Sequence, residues 1–257
     1  MYVYRPLRLL LVLAFLGCAM HADAQVVNIE QRRIATDTTG WFGSARLSFA
    51  GSKTTKSIIS LFTGGLLEYK SKSNKDLWLF ITDFSLITGD KEKFSNTGFG
   101  HLRYNRKLNN AIRWEVFTQI QYNGLTKIDT RALLGTGPRF KLTDYEHAKF
   151  YFAVAYMYEY EKLLLEPVEY NRDHRLSSYF SFTLLPEETV SFMSTTYVQP
   201  LLTDFSDYRI TSETTLFLGI TKKLLLNVSF KYNYDVAPPE GVPTNTYYFI
   251  NSLEIQF

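Results

Sequence analysis

The chain holds a single cysteine in 257 residues, Cys18, and that one falls in a leader marked for removal. The mature protein therefore has no disulfide, no thiolate metal site and no catalytic thiol. Long apolar runs are missing as well. Nothing after the leader approaches 18 consecutive apolar residues, which excludes a transmembrane helix. Neither sign of charge dominates. Removing Arg5, Arg8 and Asp23 with the leader takes Lys+Arg from 28 to 26 and Asp+Glu from 25 to 24. The net charge of +2 that remains is too small for a nucleic-acid footprint. Metal-ligand spacings and glycine-rich phosphate loops are absent, and no segment carries a convincing 3.6-residue period.

Residues 1–24 read as a cleaved signal peptide. Arg5 and Arg8 precede the apolar stretch from Leu9 to Leu16, and Ala22-Asp23-Ala24 supplies a small-residue cleavage site before Gln25. Gly17-Cys18 offers a weaker lipoprotein alternative, with Phe15 standing where such signals usually have Leu. Residues 25–40 are polar and aperiodic, a periplasmic lead-in to a domain over 41–257.

What the chain has in plenty is aromatic side chains and alternation. Aromatics make up 16%, with 18 Tyr and 20 Phe. The last stretch shows the pattern: Tyr247, Phe249, Asn251, Leu253, Ile255 and Phe257 share one face, against Tyr248, Ile250, Ser252, Glu254 and Gln256. A period of two with one apolar face is a strand. Left as an open edge it would invite aggregation, so it is expected to pair with an early strand and close a barrel. Segments of this kind recur at 41–50, 56–70, 76–88, 94–107, 111–125, 131–142, 148–161, 174–185, 189–200, 208–220, 223–235 and 246–257. Connections after the even segments are short (71–75, 109–110, 143–147, 186–188, 221–222), whereas those after the odd ones include 89–93, 163–173, 201–207 and 236–245. Period two alone also fits a soluble sandwich, but alternating short and long connections are what a transmembrane barrel makes. The expectation is an all-β chain: an antiparallel up-and-down barrel of about twelve strands in a bacterial outer membrane, with both termini periplasmic.

The strands also sort into faces. Trp114, Val116, Thr118, Ile120 and Tyr122 oppose Arg113, Glu115, Gln119 and Gln121; Phe150, Phe152, Val154, Tyr156 and Tyr158 oppose Lys149, Glu159 and Glu161. Lipid-facing sets free of charge, with aromatics toward their ends, suit an interfacial girdle. The C-terminal Phe257 on an alternating strand resembles the signal by which barrel-assembly machinery takes up outer-membrane strands.

Three stretches carry a family resemblance. Tyr122-Asn123-Gly124 with Arg131-Ala132-Leu133-Leu134-Gly135-Thr136-Gly137-Pro138-Arg139-Phe140 is similar to the N-G…R-x-L-x-G-x-G-x-R block of small outer-membrane proteins named salt-induced. Gly51-Ser52-Lys53-Thr54-Thr55-Lys56-Ser57 resembles their G-N-T-x-x-S turn, with Ser in place of Asn, and Ala237-Pro238-Pro239-Glu240-Gly241-Val242-Pro243 their P-P-E-x-x-P loop. The resemblance covers most of the mature chain. It implies an outer-membrane barrel and lends no activity.

Candidate chemistry is sparse. Once His21 leaves with the leader, the histidines are His101, His147 and His174. His147 and His174 read as solvated turn residues. His101 shares an inward register with Arg103 and Asn105 and reads as a hydrogen-bonded interior residue before it reads as a catalytic one. No Ser–His pattern of a lipase type accompanies it. The remaining polar set is Arg103, Arg113, Glu115, Arg139, Glu159, Arg175, Arg209, Glu213 and Lys231, expected to line the lumen. Both signs are present, so the set reads first as an internal salt-bridge network and second as a selectivity lining. Strand number leaves that open, because about eight strands give a filled interior and 16–18 a channel. The expected protein is thus a monomeric, passive or structural envelope barrel, narrow and porin-like at most. It is expected to be no enzyme, to use no cofactor and to have membrane lipids as neighbours. A lipid-modifying enzyme with an outer-leaflet site, or a surface interaction protein using 163–173 and 236–245, are the alternatives.

Overall fold

The computed structural model describes residues 39–53, 57–89, 92–145, 147–187 and 189–257. The expected signal peptide, Cys18 and nearly all of the lead-in lie outside the described residues. Twelve strands run in chain order: β1 Gly40–Lys53, β2 Ser57–Lys70, β3 Asp76–Gly89, β4 Glu92–Lys107, β5 Ile112–Asn123 and β6 Ile128–Tyr145. They continue as β7 Ala148–Leu163, β8 Tyr170–Glu187, β9 Val190–Pro200, β10 Tyr208–Gly219, β11 Leu224–Asp235 and β12 Asn245–Gln256. Each pairs antiparallel with its sequence neighbours, and β1 pairs with β12, so the sheet closes on itself. Closure removes the open edge that an apolar final strand would otherwise present.

Strand positions match the sequence reading to within a few residues, with one systematic difference. Several strands outrun their predicted ends. β6 begins at Ile128 rather than 131 and β8 at Tyr170 rather than 174, because the flanking residues go on pairing with β7, as in Thr130 against Lys162 and Lys162 against Tyr170. The loop expected at 163–173 contracts to 164–169. The loop expected at 89–93 is largely strand, with Gly89 paired to Glu92. Long connections survive at 164–169, 201–207 and 236–244, all at one end of the barrel, here the long-loop end. Turn chemistry fixes them locally: in 201–207 the Ser206 hydroxyl and backbone N–H both donate to the Asp204 carboxylate, which holds its pKa below the ordinary value.

Burial alternates along each strand as the two-residue period requires. The outward face carries two aromatic belts. At the short-turn end Trp41 packs on Tyr69 at 4.8 Å and Trp78 on Tyr104 at 4.7 Å, beside an exposed Trp114. At the long-loop end Tyr156 and Tyr158 flank His174. Such belts place the polar ends of the rings at the two membrane surfaces.

The interior is less uniformly polar than expected. Leu66, Leu79 and Ile81 form one buried apolar cluster, joined by Phe99; Phe117, Leu133, Ala155 and Met157 form a second, and Ala153, Tyr179 and Tyr197 a third. These side chains fill a barrel of this circumference where charge alone would leave voids. Packing is tight at the glycines Gly135 and Gly137 of β6. The Phe117 ring lies over Gly135, its partner across the β5–β6 ladder, and the backbone of β7 presses on Gly137. Glycine in a strand admits such close approach, and an aromatic ring laid over it restores the buried contact.

Candidate functional site

The alternation turns nearly all of the predicted polar set inward, and pairing gathers most of it into two layers. The first lies near the short-turn end. Glu115 of β5 accepts from Arg103 of β4 at 3.1 Å and from the Tyr179 hydroxyl of β8 at 3.2 Å, with Arg139 of β6 at 3.7 Å. The Arg139 guanidinium lies 3.7 Å from the centre of the Tyr151 ring. Arg103 also donates to His101 Nε2 at 3.3 Å, so the His101 Nδ1 that sits 3.1 Å from Gln119 Oε1 carries the hydrogen. Its ring is stacked between Phe99 and Phe117. A neutral, doubly bonded and buried imidazole is what the interior reading of His101 expects.

The second layer lies at the long-loop end. Glu159 of β7 is fully buried and meets three guanidiniums: Arg131 at 2.6 Å, Arg209 at 2.6 Å and Arg175 at 3.1 Å. Arg209 also holds Asp235 at 2.9 Å, Arg175 holds Asp207 at 3.0 Å, and Glu161 sits 3.6 Å from Arg209 and 3.8 Å from Arg131. The layer ties β6, β7, β8, β10 and β11 together across the lumen. Charges removed from water this completely persist only when paired and hydrogen-bonded.

The sequence reading omitted Arg131, Glu161 and Asp235 from the lumen set. The signal was present: each continues the inward register of its strand. The strand faces already put Glu161 and Asp235 on the inward side without adding them to the lumen set, whereas Arg131 stands at a predicted strand end, where loop and lumen look alike. The remaining predicted residues fall elsewhere. Lys231 and Glu213 face each other across the β10–β11 ladder and line a separate cavity. Arg113 stands half-buried at the short-turn rim, in register with Lys107 and Arg139, not in the buried layer. His147 lies in the β6–β7 turn as expected. His174 does not lie in a turn, because β8 starts four residues earlier than predicted. It faces outward and bonds the Tyr156 hydroxyl at 2.5 Å.

A lid completes the site. The 236–244 connection leaves β11 and crosses to the 124–127 turn between β5 and β6, which in a ring of twelve stands diametrically opposite. Lys127 Nζ donates to the Glu240 carbonyl at 2.6 Å, and both Val242 and Thr126 are buried beneath the crossing. Gly241 takes a φ of +79° there, with Lys127 against it. The loop read from sequence as an interaction surface is folded inward across the mouth, because its apolar Val242 has a place to bury there.

A closed twelve-stranded antiparallel sheet with apolar outer wall, paired aromatic belts and charged interior is a barrel of the bacterial outer-membrane class. Within that class the chain belongs to the family described as "Protein of unknown function, DUF481", whose profile matches residues 45–257. Among solved structures it is similar to the COG4313 outer membrane channel from Pseudomonas putida F1, with 8% identity over 91% of this chain and 100% of that one and a TM-score of 0.54. It is also similar to the translocator domain of autotransporter NalP from Neisseria meningitidis, with 7% identity over 86% and 88% and a TM-score of 0.53. The NanC porin is similar over 84% of this chain and 97% of its own at 13% identity, with a TM-score of 0.48. The likeness to the channel and to the translocator domain is one of fold. No curated protein sequence matches the chain.

Proposed function

We propose that this chain is a passive, closed-lumen barrel of the bacterial outer membrane, a wall element of the envelope rather than an open pore or an enzyme. The observation that carries the reading is the buried Glu159 layer, which joins β6, β7, β8, β10 and β11 across the long-loop side of the lumen beneath the loop that holds Val242. In this reading residues 1–24 are removed on export and both termini are periplasmic. The strand ending at Phe257 engages the assembly machinery, and a monomer stands among membrane lipids without a cofactor. His101 serves packing, since its ring nitrogens are occupied and its faces covered. Ion pairs sealed from solvent are screened far less than surface pairs, so the wall keeps its interior bonding as ionic strength rises.

The test is conductance. Refolded residues 25–257 are expected to run as a heat-modifiable closed barrel on gels and to insert into planar bilayers without steady ohmic steps at low or high KCl. Reproducible single-channel steps from the wild-type barrel would overturn the closed-lumen reading and return the nine predicted lumen residues to the role of a selectivity lining.

A further inference from the structure

The 236–244 lid is held differently at its two ends. Its stem is tied by backbone: Asp235 N–H donates to the Thr244 carbonyl at 2.8 Å and Val236 N–H to the Tyr208 carbonyl at 3.2 Å. Midway, Val242 N–H donates to the Pro239 carbonyl at 3.0 Å, so 239–242 form a compact turn. This turn meets the far side through the Lys127 ammonium on the Glu240 carbonyl and through Val242. Lys127 is anchored from behind, since its own carbonyl accepts from Leu164 N–H at 2.7 Å. Of residues 236–244 only Val242 is buried, and the Lys127 bond faces solvent. Segments closed by solvent-facing bonds and little apolar burial are the ones that open locally while the rest of a fold stays intact.

The stem also touches the charge layer. Asp235 Oδ1 accepts from the Ala237 N–H at 3.1 Å, and Asp235 Oδ2 accepts from Arg209 Nε at 2.9 Å. Arg209 in turn donates to Glu159 at 2.6 Å. One carboxylate therefore serves both the first residues of the lid and the buried layer. Glu159 fixes Arg209, Arg209 fixes the Asp235 carboxylate, and that carboxylate fixes the direction in which the lid leaves β11.

We propose that the lid is a movable gate on the long-loop mouth, hinged at Asp235, and that the Glu159 layer sets its closed position through Arg209 and Asp235. Opening breaks the Lys127–Glu240 bond, exposes Val242 and gives solvent access to the layer below. Closing reverses these steps, because the oriented stem returns the 239–242 turn to Lys127. The gate is read by chemical access and not by conductance, so it stands or falls apart from the closed-lumen reading.

Residues 25–257 hold no cysteine, so a single Val242→Cys reports on the lid alone. The experiment follows its reaction with a polar maleimide in the refolded barrel in maltoside micelles, each variant first checked for heat-modifiable migration. Labelling is expected to go to completion, at least tenfold more slowly than at the exposed Glu240→Cys. Lys127→Met, which frees the far end, is expected to raise the Val242→Cys rate at least fivefold. Arg209→Gln touches no lid residue and is expected to raise it at least threefold, whereas Leu134→Gln on the outer wall leaves it unchanged. Should Arg209→Gln not fold, Arg209→Lys keeps a cation beside Glu159, gives up the two-sided grip on Asp235 and serves the same comparison. Equal rates at Val242→Cys and Glu240→Cys would overturn the closed position. A Lys127→Met barrel labelled no faster than its parent would overturn the gate, and a folded Arg209 variant labelled at the parent rate would overturn the tie to the layer.

Discussion

Replacing Glu159 by glutamine is expected to cost the barrel about 3–5 kcal/mol, the range for removing one partner from a buried ion pair. The carboxylate lies against Arg131, Arg175 and Arg209, all of them buried. A neutral amide of the same shape leaves three guanidiniums facing one another with no anion at their centre. Glu161, Asp235 and Asp207 still neutralise the outer sides of the cluster, so the loss falls on the centre. Urea unfolding of the barrel in lipid vesicles reads the effect as a lowered midpoint, and gel migration reports it as unfolding at lower temperature. A second variant isolates the cause. Adding Arg131→Met to Glu159→Gln removes one guanidinium from the centre without taking the cation from Asp235 or Asp207, and the double variant is expected to be more stable than Glu159→Gln alone. A Glu159→Gln midpoint indistinguishable from wild type would show that the layer is wetter and less coupled than its burial implies.

Gly137→Ala is expected to prevent assembly, or to destabilise the barrel by more than about 3 kcal/mol, the upper range for overpacking. A Cβ at this position would stand 2.1 Å from the Val154 carbonyl oxygen and 2.5 Å from the Ala155 Cα. Both obstacles are backbone of β7 and cannot turn aside. Accommodating a methyl group means forcing β6 from β7 between the paired residues Thr136–Tyr156 and Arg139–Ala153. The disturbance would pass to Arg139 and to the short-turn charge layer. Gly100→Ala is the matched control. Its Cβ would meet only Ile120 Cγ2 at 3.6 Å, an ordinary contact, so its effect should stay within about 0.5 kcal/mol. The yield of heat-modifiable species on refolding compares the two; equal yields would refute the close approach of β6 and β7.

Much of this architecture could be read without coordinates, for a definite reason. Side chains on a strand alternate between two environments, and a barrel in lipid makes those environments as different as hydrocarbon and a charged interior. Trp114, Val116 and Ile120 against Glu115, Gln119 and Gln121 therefore declare inside and outside locally, one strand at a time. Arg103, Glu115, Arg139, Glu159, Arg175 and Arg209 were placed inward by that rule, and their burial agrees with it. The rule weakens at strand ends, where alternation blends into loop. Hence Arg131 is missing from the predicted lumen set, His174 reads as a turn residue, and the 89–93 connection reads as too long.

The sequence by itself determined the strands, their number, their faces and the closing of the sheet, because each follows from a period of two and from local turn chemistry. Which inward residues meet was decided by the tertiary structure alone. Glu159 and Arg209 are fifty positions apart and Lys127 and Glu240 more than a hundred. Nothing local distinguishes a lumen arginine that closes the barrel from one that lines it. The stagger between strands sets those heights, and the curvature of the closed sheet sets which walls face each other. The same geometry folds the 236–244 loop over the mouth and, among the described residues, sets Ser44–Leu47 of the first strand against Gln256–Leu253 of the last.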